Sequence, residues 1–156
     1  MRVIAVGRPG RLLAESIAEY ETRAARYWSF DVAEVREERA HKGMSDDAIR
    51  DAEGERILQR VPAGAEVIAL TRTGEQWLST RLSQYLQQLG AQGSAGVAFV
   101  IGGAIGLGAD VLKRATRQLR LSDLTLTHEL ARLVLAEQLY RAGTIARGEP
   151  YHKGAE

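Results

Sequence analysis

Cysteine is absent from the chain of 156 residues, which removes disulfides and thiolate metal ligands from consideration. The three histidines, His41, His128 and His152, are scattered and match no zinc-ligand spacing, so a metal site is not expected. No apolar run approaches the roughly 20 residues that a bilayer span requires, and the opening MRVIAVGRPG lacks a basic stretch leading into a hydrophobic signal core. The expectation is a cytoplasmic protein with no membrane partner. Charge of one sign is also lacking. With 21 Lys and Arg against 20 Asp and Glu the net charge is +1, so any attraction for nucleic acid must come from local clusters of cations.

Two further absences concern the loop in FVIGGAIGLGADVLKRA, residues 99 to 115, which follows a strand-like run and precedes a helical pattern opened by Asp110. Gly102, Gly103, Gly106 and Gly108 supply no G-x-G-x-x-G spacing. Gly103 and Gly108 stand five apart, but Ala109 and Asp110 occupy the places where a P-loop needs Lys and Ser or Thr. A nucleoside triphosphate and a dinucleotide are therefore disfavoured. What remains is main chain without Cβ atoms, open to close approach by a ligand.

A composition of 45% hydrophobic and 26% charged residues is that of an ordinary globular domain, and the length suits one domain spanning 1–156. Segments 2 to 6 (RVIAV), 66 to 70 (EVIAL) and 96 to 101 (GVAFVI) are short continuous apolar runs, as strands buried on both faces should be. FDVAEV at 30 to 35 and QLRLS at 118 to 122 read as two weaker strands. Between them, Leu13, Ile17, Tyr20, Ala24 and Tyr27 fall on one helical stripe, as do Leu78, Leu82, Tyr85, Leu86 and Leu89. Ser45 is an N-cap for a further helix whose first turn holds Asp46 and Asp47. Strands alternating with helices predict an α/β fold with a mainly parallel sheet. The charged, glycine-containing stretch 36 to 45 (REERAHKGMS) is expected to be a loop.

The last helix, LARLVLAEQLYRA at 130 to 142, is apolar almost all round its first two turns. Either the sheet covers one side of such a helix and a second subunit the other, or the helix is wholly internal; in a chain this small the subunit interface is the favoured expectation. Glu137 and Arg141 are spaced to pair on its polar strip. Ligands of open α/β sheets bind beyond the carboxyl ends of strands, which nominates Leu70 to Gly74, Gly102 to Gly108, and Leu121 to Leu126. In LSDLTLTHE leucines alternate with Ser, Asp and Thr, a pattern equally read as main chain turned toward a ligand or as a connection ending in a Thr127 N-cap.

The runs IGGAIGL at 101 to 107, LSDLTLTHELARLVLAEQLYRA at 121 to 142 and RGEPYHK at 147 to 153 resemble the RlmH family of SPOUT-class (α/β-knot) methyltransferases, with RVIAVG, AEGERIL at 52 to 58 and VIALTRTG at 67 to 74 in register. The resemblance implies a single SPOUT domain whose C-terminal segment threads a loop into a trefoil knot, otherwise nearly absent from proteins. It also implies S-adenosylmethionine held by Leu70, Gly102, Leu121, Ser122, Asp123, Leu124, Thr125 and Leu126, a homodimer, and methylation of a pseudouridine in large-subunit ribosomal RNA. The tail of one subunit would meet the cofactor loop of the other. Where the family carries Pro and an acidic residue in the glycine loop, and Pro before the histidine that opens the last helix, this chain has Ala104, Ile105 and Thr127.

Methyl transfer to a ring nitrogen asks the protein for proximity, orientation and a base for the departing proton. His152 is the preferred base, in an otherwise purposeless Tyr151-His152 pair beyond a proline, and His128 the alternative. Arg141 either binds an RNA phosphate or stabilises the pyrimidine as it loses its proton, or merely pairs with Glu137. Arg8, Arg36, Arg39 and Lys42 are candidates for distant RNA backbone, and a nearly neutral protein without a separate RNA-reading domain is expected to need an assembled ribosomal target. The rival reading is a dimeric RNA-binding protein of the same fold without catalysis.

Overall fold

The buried apolar runs pair into one sheet whose five strands are all parallel, in the order β2-β1-β4-β3-β5. In this computed structural model, which describes residues 1–152 with the exception of the His152 side chain, the elements are β1 (Arg2–Val6), α1 (Arg11–Ala24), β2 (Asp31–Val35), α2 (Asp46–Leu58), β3 (Glu66–Gln76), α3 (Ser79–Ala91), β4 (Val97–Ile101), α4 (Ala109–Arg114), β5 (Arg117–Arg120) and α5 (His128–Ala146). A 3₁₀ turn, Pro150–His152, follows. Lys153, counted above in the C-terminal motif, lies outside the described residues.

Alternation along each strand sends side chains to two separate cores. Val3, Ala5, Ile68, Phe99, Ile101 and Leu119 pack with Leu82, Leu86, Leu135 and Leu139 beneath α1, α3 and α5. On the other face, Ile4, Val6, Val67, Ala69 and Val100 pack with Ile57 and Val111 beneath α2 and α4. Coverage of both faces explains why the central strands read as unbroken apolar runs. The centre of β4 is fully buried from Ala98 to Val100.

Local chemistry sets the helix starts. Ser45 Oγ accepts from the Ala48 amide at 3.2 Å, and Asp46 and Asp47 follow in the first turn of α2. Thr127 Oγ1 accepts from the Leu130 amide at 3.3 Å, so α5 begins at His128, two residues before the apolar pattern. Thr127→Ala is expected to cost about 1 kcal/mol, lowering the melting temperature by about 2–4 °C in a chain of this size; differential scanning calorimetry checks it.

Two strand boundaries differ from the sequence expectation. β3 runs on to Gln76 because Leu119 pairs with both Leu70 and Glu75, leaving Thr71 to Gly74 outside the ladder as a bulge. Gly74 lies so close to β5 that a Cβ there would stand 2.5 Å from the Gln118 carbonyl carbon. β5 itself stops at Arg120 instead of Ser122. Arg120 pairs with Asp123 at 2.7 Å and Ser122 Oγ accepts from the Leu124 amide at 3.0 Å, two local contacts that turn the chain out of the sheet. Segment 36 to 45 contains no helix or strand, as expected.

Candidate active site

The three strand ends nominated by the sequence line a single cleft of about 410 Å³, within the roughly 300–1,000 Å³ usual for small-molecule sites. It opens beyond the carboxyl ends of β3, β4 and β5, against the start of α5. Leu70 and the bulge Thr71 to Thr73 form one wall, Gly102 to Leu107 another, and Leu121, Ser122 and Leu124 to Leu126 a third. Seven of the eight proposed cofactor residues therefore meet. Asp123 does not line the cleft, because its carboxylate turns away to Arg120.

Each wall offers main chain. A Cβ on Gly102 would stand 2.6 Å from the Gly106 carbonyl carbon, so the loop folds back on itself only because no side chain intervenes. The Gly106 amide donates to the Gly103 carbonyl at 3.0 Å, and Gly106 takes φ 90°, a conformation open to glycine. In the third wall the Leu124 amide bonds to Ser122, while among the described residues the other main-chain amides of 121 to 126 have no hydrogen-bond acceptor. Unpaired amides at a cleft are free to meet a ligand. Leu121 packs into the core and anchors this wall, whereas Leu124 is 78% exposed.

The charged side chains lining the cleft are Arg50 and Arg72, with the His128 imidazole beside them and no carboxylate among the described lining residues. Arg50 was not foreseen from sequence. It reaches the loop from α2, in the opposite layer, with Nη1 3.4 Å from the Ile105 carbonyl and Nη2 2.6 Å from Asp47. His128, the alternative base, sits in the cleft wall with Nε2 3.9 Å from Glu129 Oε1.

The proposed catalytic residues gather elsewhere. Arg141 lies about 20 Å along α5 from His128, at 1.5 Å per residue, and neither it nor Tyr151 lines the cleft. The pair with Glu137 forms, with Arg141 Nη2 at 2.8 Å and Nε at 3.0 Å from Glu137 Oε1. Tyr151 donates its hydroxyl to the same oxygen at 3.2 Å, packs on Tyr140 with centroids 4.5 Å apart, and carries the Arg141 guanidinium 4.9 Å from its ring centre. Burial, the neighbouring Tyr20 hydroxyl and the Glu137 carboxylate raise the Tyr151 phenol above its ordinary range. Tyr27 bonds to Glu149 and takes Arg147 over its ring at 4.6 Å. Together these contacts fold the segment before His152 back on α1 and α5. The His152 side chain lies outside the described residues.

Arg8, Arg36, Arg39 and Lys42 are all exposed. Arg8 stands 3.4 Å from Glu34, whose other oxygen is held by Arg132, a buried guanidinium that also binds Glu21 at 2.8 Å. Glu53, within the AEGERIL motif but given no role by sequence reasoning, proves to be buried directly behind the glycine loop.

A parallel sheet with a glycine-walled cleft beyond adjoining strand ends is the arrangement of a small-molecule-binding α/β protein, and the comparison with known proteins narrows it. Residues 1–152 match the family model described as "Predicted SPOUT methyltransferase", and the chain belongs to the SPOUT methyltransferase family. Within it, the chain is 51% identical over 156 residues to ribosomal RNA large subunit methyltransferase H of Gemmatimonas aurantiaca, covering 98% of this chain and 100% of that protein. The proteins of the same name from an Anaeromyxobacter species and from Listeria welshimeri are 47% and 43% identical, each over 98% of this chain and 99% of their own length.

Proposed function

We propose that this protein is an S-adenosylmethionine-dependent methyltransferase acting in the cytoplasm on N3 of a pseudouridine in large-subunit ribosomal RNA. The observation carrying the reading is the convergence of Leu70, Gly102 and the run Leu121 to Leu126, Asp123 excepted, on one cleft, in a chain about half identical to a ribosomal RNA methyltransferase along its length. The cleft suits the donor on its own chemistry. Its volume is that of a small-molecule site, its loop leaves main chain uncovered, and its free amides match an adenine edge or a carboxylate. When bound, S-adenosylmethionine supplies a methyl group on a positively charged sulfur, open to in-line attack by a ring nitrogen.

The chain's residues divide the remaining work. Leu70 and Leu121 flank the adenine, Gly102 and the amides beyond Leu121 hold polar atoms, and Asp123 fixes the turn through Arg120. His152 accepts the proton that leaves the ring nitrogen. Arg141, oriented by Glu137, faces RNA phosphate or the pyrimidine as it loses that proton, and Tyr151 positions the tail. Arg141 and Tyr151 stand outside the cleft lining of their own chain, which supports a site completed between two copies, the C-terminal segment of each lending its tail to the other. The outer side of α5, where Leu130 is 39% exposed, together with exposed Leu124, supports a homodimer whose interface runs along that helix.

Mass spectrometry of ribosomal RNA from cells with and without the gene tests the activity: one methyl group on a pseudouridine disappears with the gene. Unchanged RNA would leave the non-catalytic RNA-binding dimer. With a net charge of +1, the purified protein should methylate intact ribosomes at least about tenfold better than the isolated RNA hairpin, since few phosphate contacts are available to hold a short stem. Equal rates on both would count against recognition of an assembled target.

A further inference from the structure

Glu53 is 3% exposed on α2, and its two oxygens have different fates. Oε1 accepts from the Glu38 amide at 3.0 Å. Oε2 has no hydrogen-bond partner among the described residues and points at the glycine loop, where a Cβ on Gly103 would stand 2.8 Å from it. A buried, half-satisfied carboxyl is costly, and its burial pushes it up from the ordinary carboxylate range. Glu37 adds to that effect, while the bonded Glu38 amide, the Gly103 amide that faces the carboxyl without completing a hydrogen bond, and the Arg56 guanidinium oppose it. An apolar residue would fill the space at lower cost, so the position calls for an explanation beyond packing.

The neighbours on the same face of α2 supply it. Arg50 reaches the Ile105 carbonyl, a Cβ on Gly108 would stand 2.9 Å from the Arg50 carbonyl oxygen, and one on Gly54 would touch Val111 at 3.2 Å. α2 therefore lies tightly against the loop from Gly103 to Gly108. One turn further on, Arg56 donates to the Arg36 carbonyl at 2.9 Å and pairs with Glu38, whose carboxyl it holds below the usual range. A single rigid helix thus grips the cofactor-side loop and the start of the cationic segment 36 to 42.

We propose that Glu53 is a positioning residue that couples the segment Arg36 to Glu38 to the glycine loop, so that engagement of RNA backbone by the cationic segment and the shape of the donor cleft depend on each other. The inference rests on the donor reading above. Coupling of this kind is reciprocal in binding free energy: RNA held at one side tightens the donor, and the donor orders the other side.

The test uses the full-length protein with S-adenosylmethionine as the probe. Glu53→Gln keeps the shape and the acceptor toward Glu38 but places an amide behind Gly103. We expect it to bind the donor about tenfold more weakly by calorimetry, with a melting temperature no lower than the parent's, a combination that loss of a merely structural group does not give. Arg56→Gln, outside the cleft lining, should weaken the donor in the same direction, and the double variant should be no weaker than the worse single one, as for residues in one network. In the unaltered protein, the donor should slow hydrogen exchange of the Glu38 amide together with the amides of 102 to 107. Unchanged donor affinity in Glu53→Gln, multiplying effects in the double variant, or an indifferent Glu38 amide would each overturn the coupling while leaving the donor reading intact. Failure of the unaltered protein to bind the donor would instead remove that reading and the coupling with it.

Discussion

Gly102→Val is expected to give a folded protein that no longer binds the proposed donor, S-adenosylmethionine. The substituted Cβ would stand 2.6 Å from the Gly106 carbonyl carbon, 2.7 Å from its oxygen and 3.0 Å from the Leu107 nitrogen. All three are main-chain atoms, so no rotamer change relieves the clash, and the segment Gly106 to Leu107 must shift within the cleft wall. A displacement of about 1 Å in a positioning loop can cost about 100-fold in activity, and the valine side chain adds bulk within the cleft itself. Donor affinity by calorimetry should fall at least about 100-fold, with the circular dichroism spectrum retained. Gly90→Ala is the matched control. It lies within α3 with open space around its Cβ, so it should gain up to about 1 kcal/mol of stability and leave donor binding untouched.

His152→Ala should do the opposite. Removal of a general base costs about 10²–10⁴-fold in rate, while the cleft, lined by residues from the other end of α5, keeps its donor affinity. Because the tail is held by Tyr140 and Glu137 and not by its own cleft, the two defects should complement each other. When equal amounts of Gly102→Val and His152→Ala subunits are mixed and allowed to exchange, half of the proposed homodimers carry one variant of each kind. In each of these, one of the two composite sites is intact. The mixture should recover about a quarter of the unaltered activity from two nearly inactive parents. No recovery would place the base and the cleft in the same chain and favour His128, which already lines that cleft.

Much of this layout was legible in the sequence for local reasons. Residues 2 to 6, 66 to 70 and 96 to 101 read as strands because strands covered on both faces need no polar alternation. Ser45 and Thr127 cap α2 and α5 as their side-chain chemistry predicts. The three strand ends were nominated because α/β sheets bind ligands there, and of the residues in them Gly74, Gly108 and Asp123 fell outside the cleft lining; of the eight that the family resemblance singled out, only Asp123 did.

What escaped depended on distant contacts. The bulge from Thr71 to Gly74 exists because β5 pairs on either side of it, a fact no local pattern encodes. Arg50 and Glu53 sit in an ordinary charged helix, and only the approach of α2 from the opposite layer brings them to the loop. The length of α5 can be read from its residues. That one end of it puts His128 in the cleft wall while Arg141 stays outside the lining is visible only in three dimensions.

The central claim is that this cleft delivers a methyl group to ribosomal RNA. Purified protein incubated with methyl-labelled S-adenosylmethionine and ribosomes from cells lacking the gene tests it most directly. Incorporation should saturate at one methyl per large subunit, confined to a pseudouridine, and be abolished by Gly102→Val. Absence of label on the RNA with the unaltered protein, or label undiminished by Gly102→Val, would contradict it.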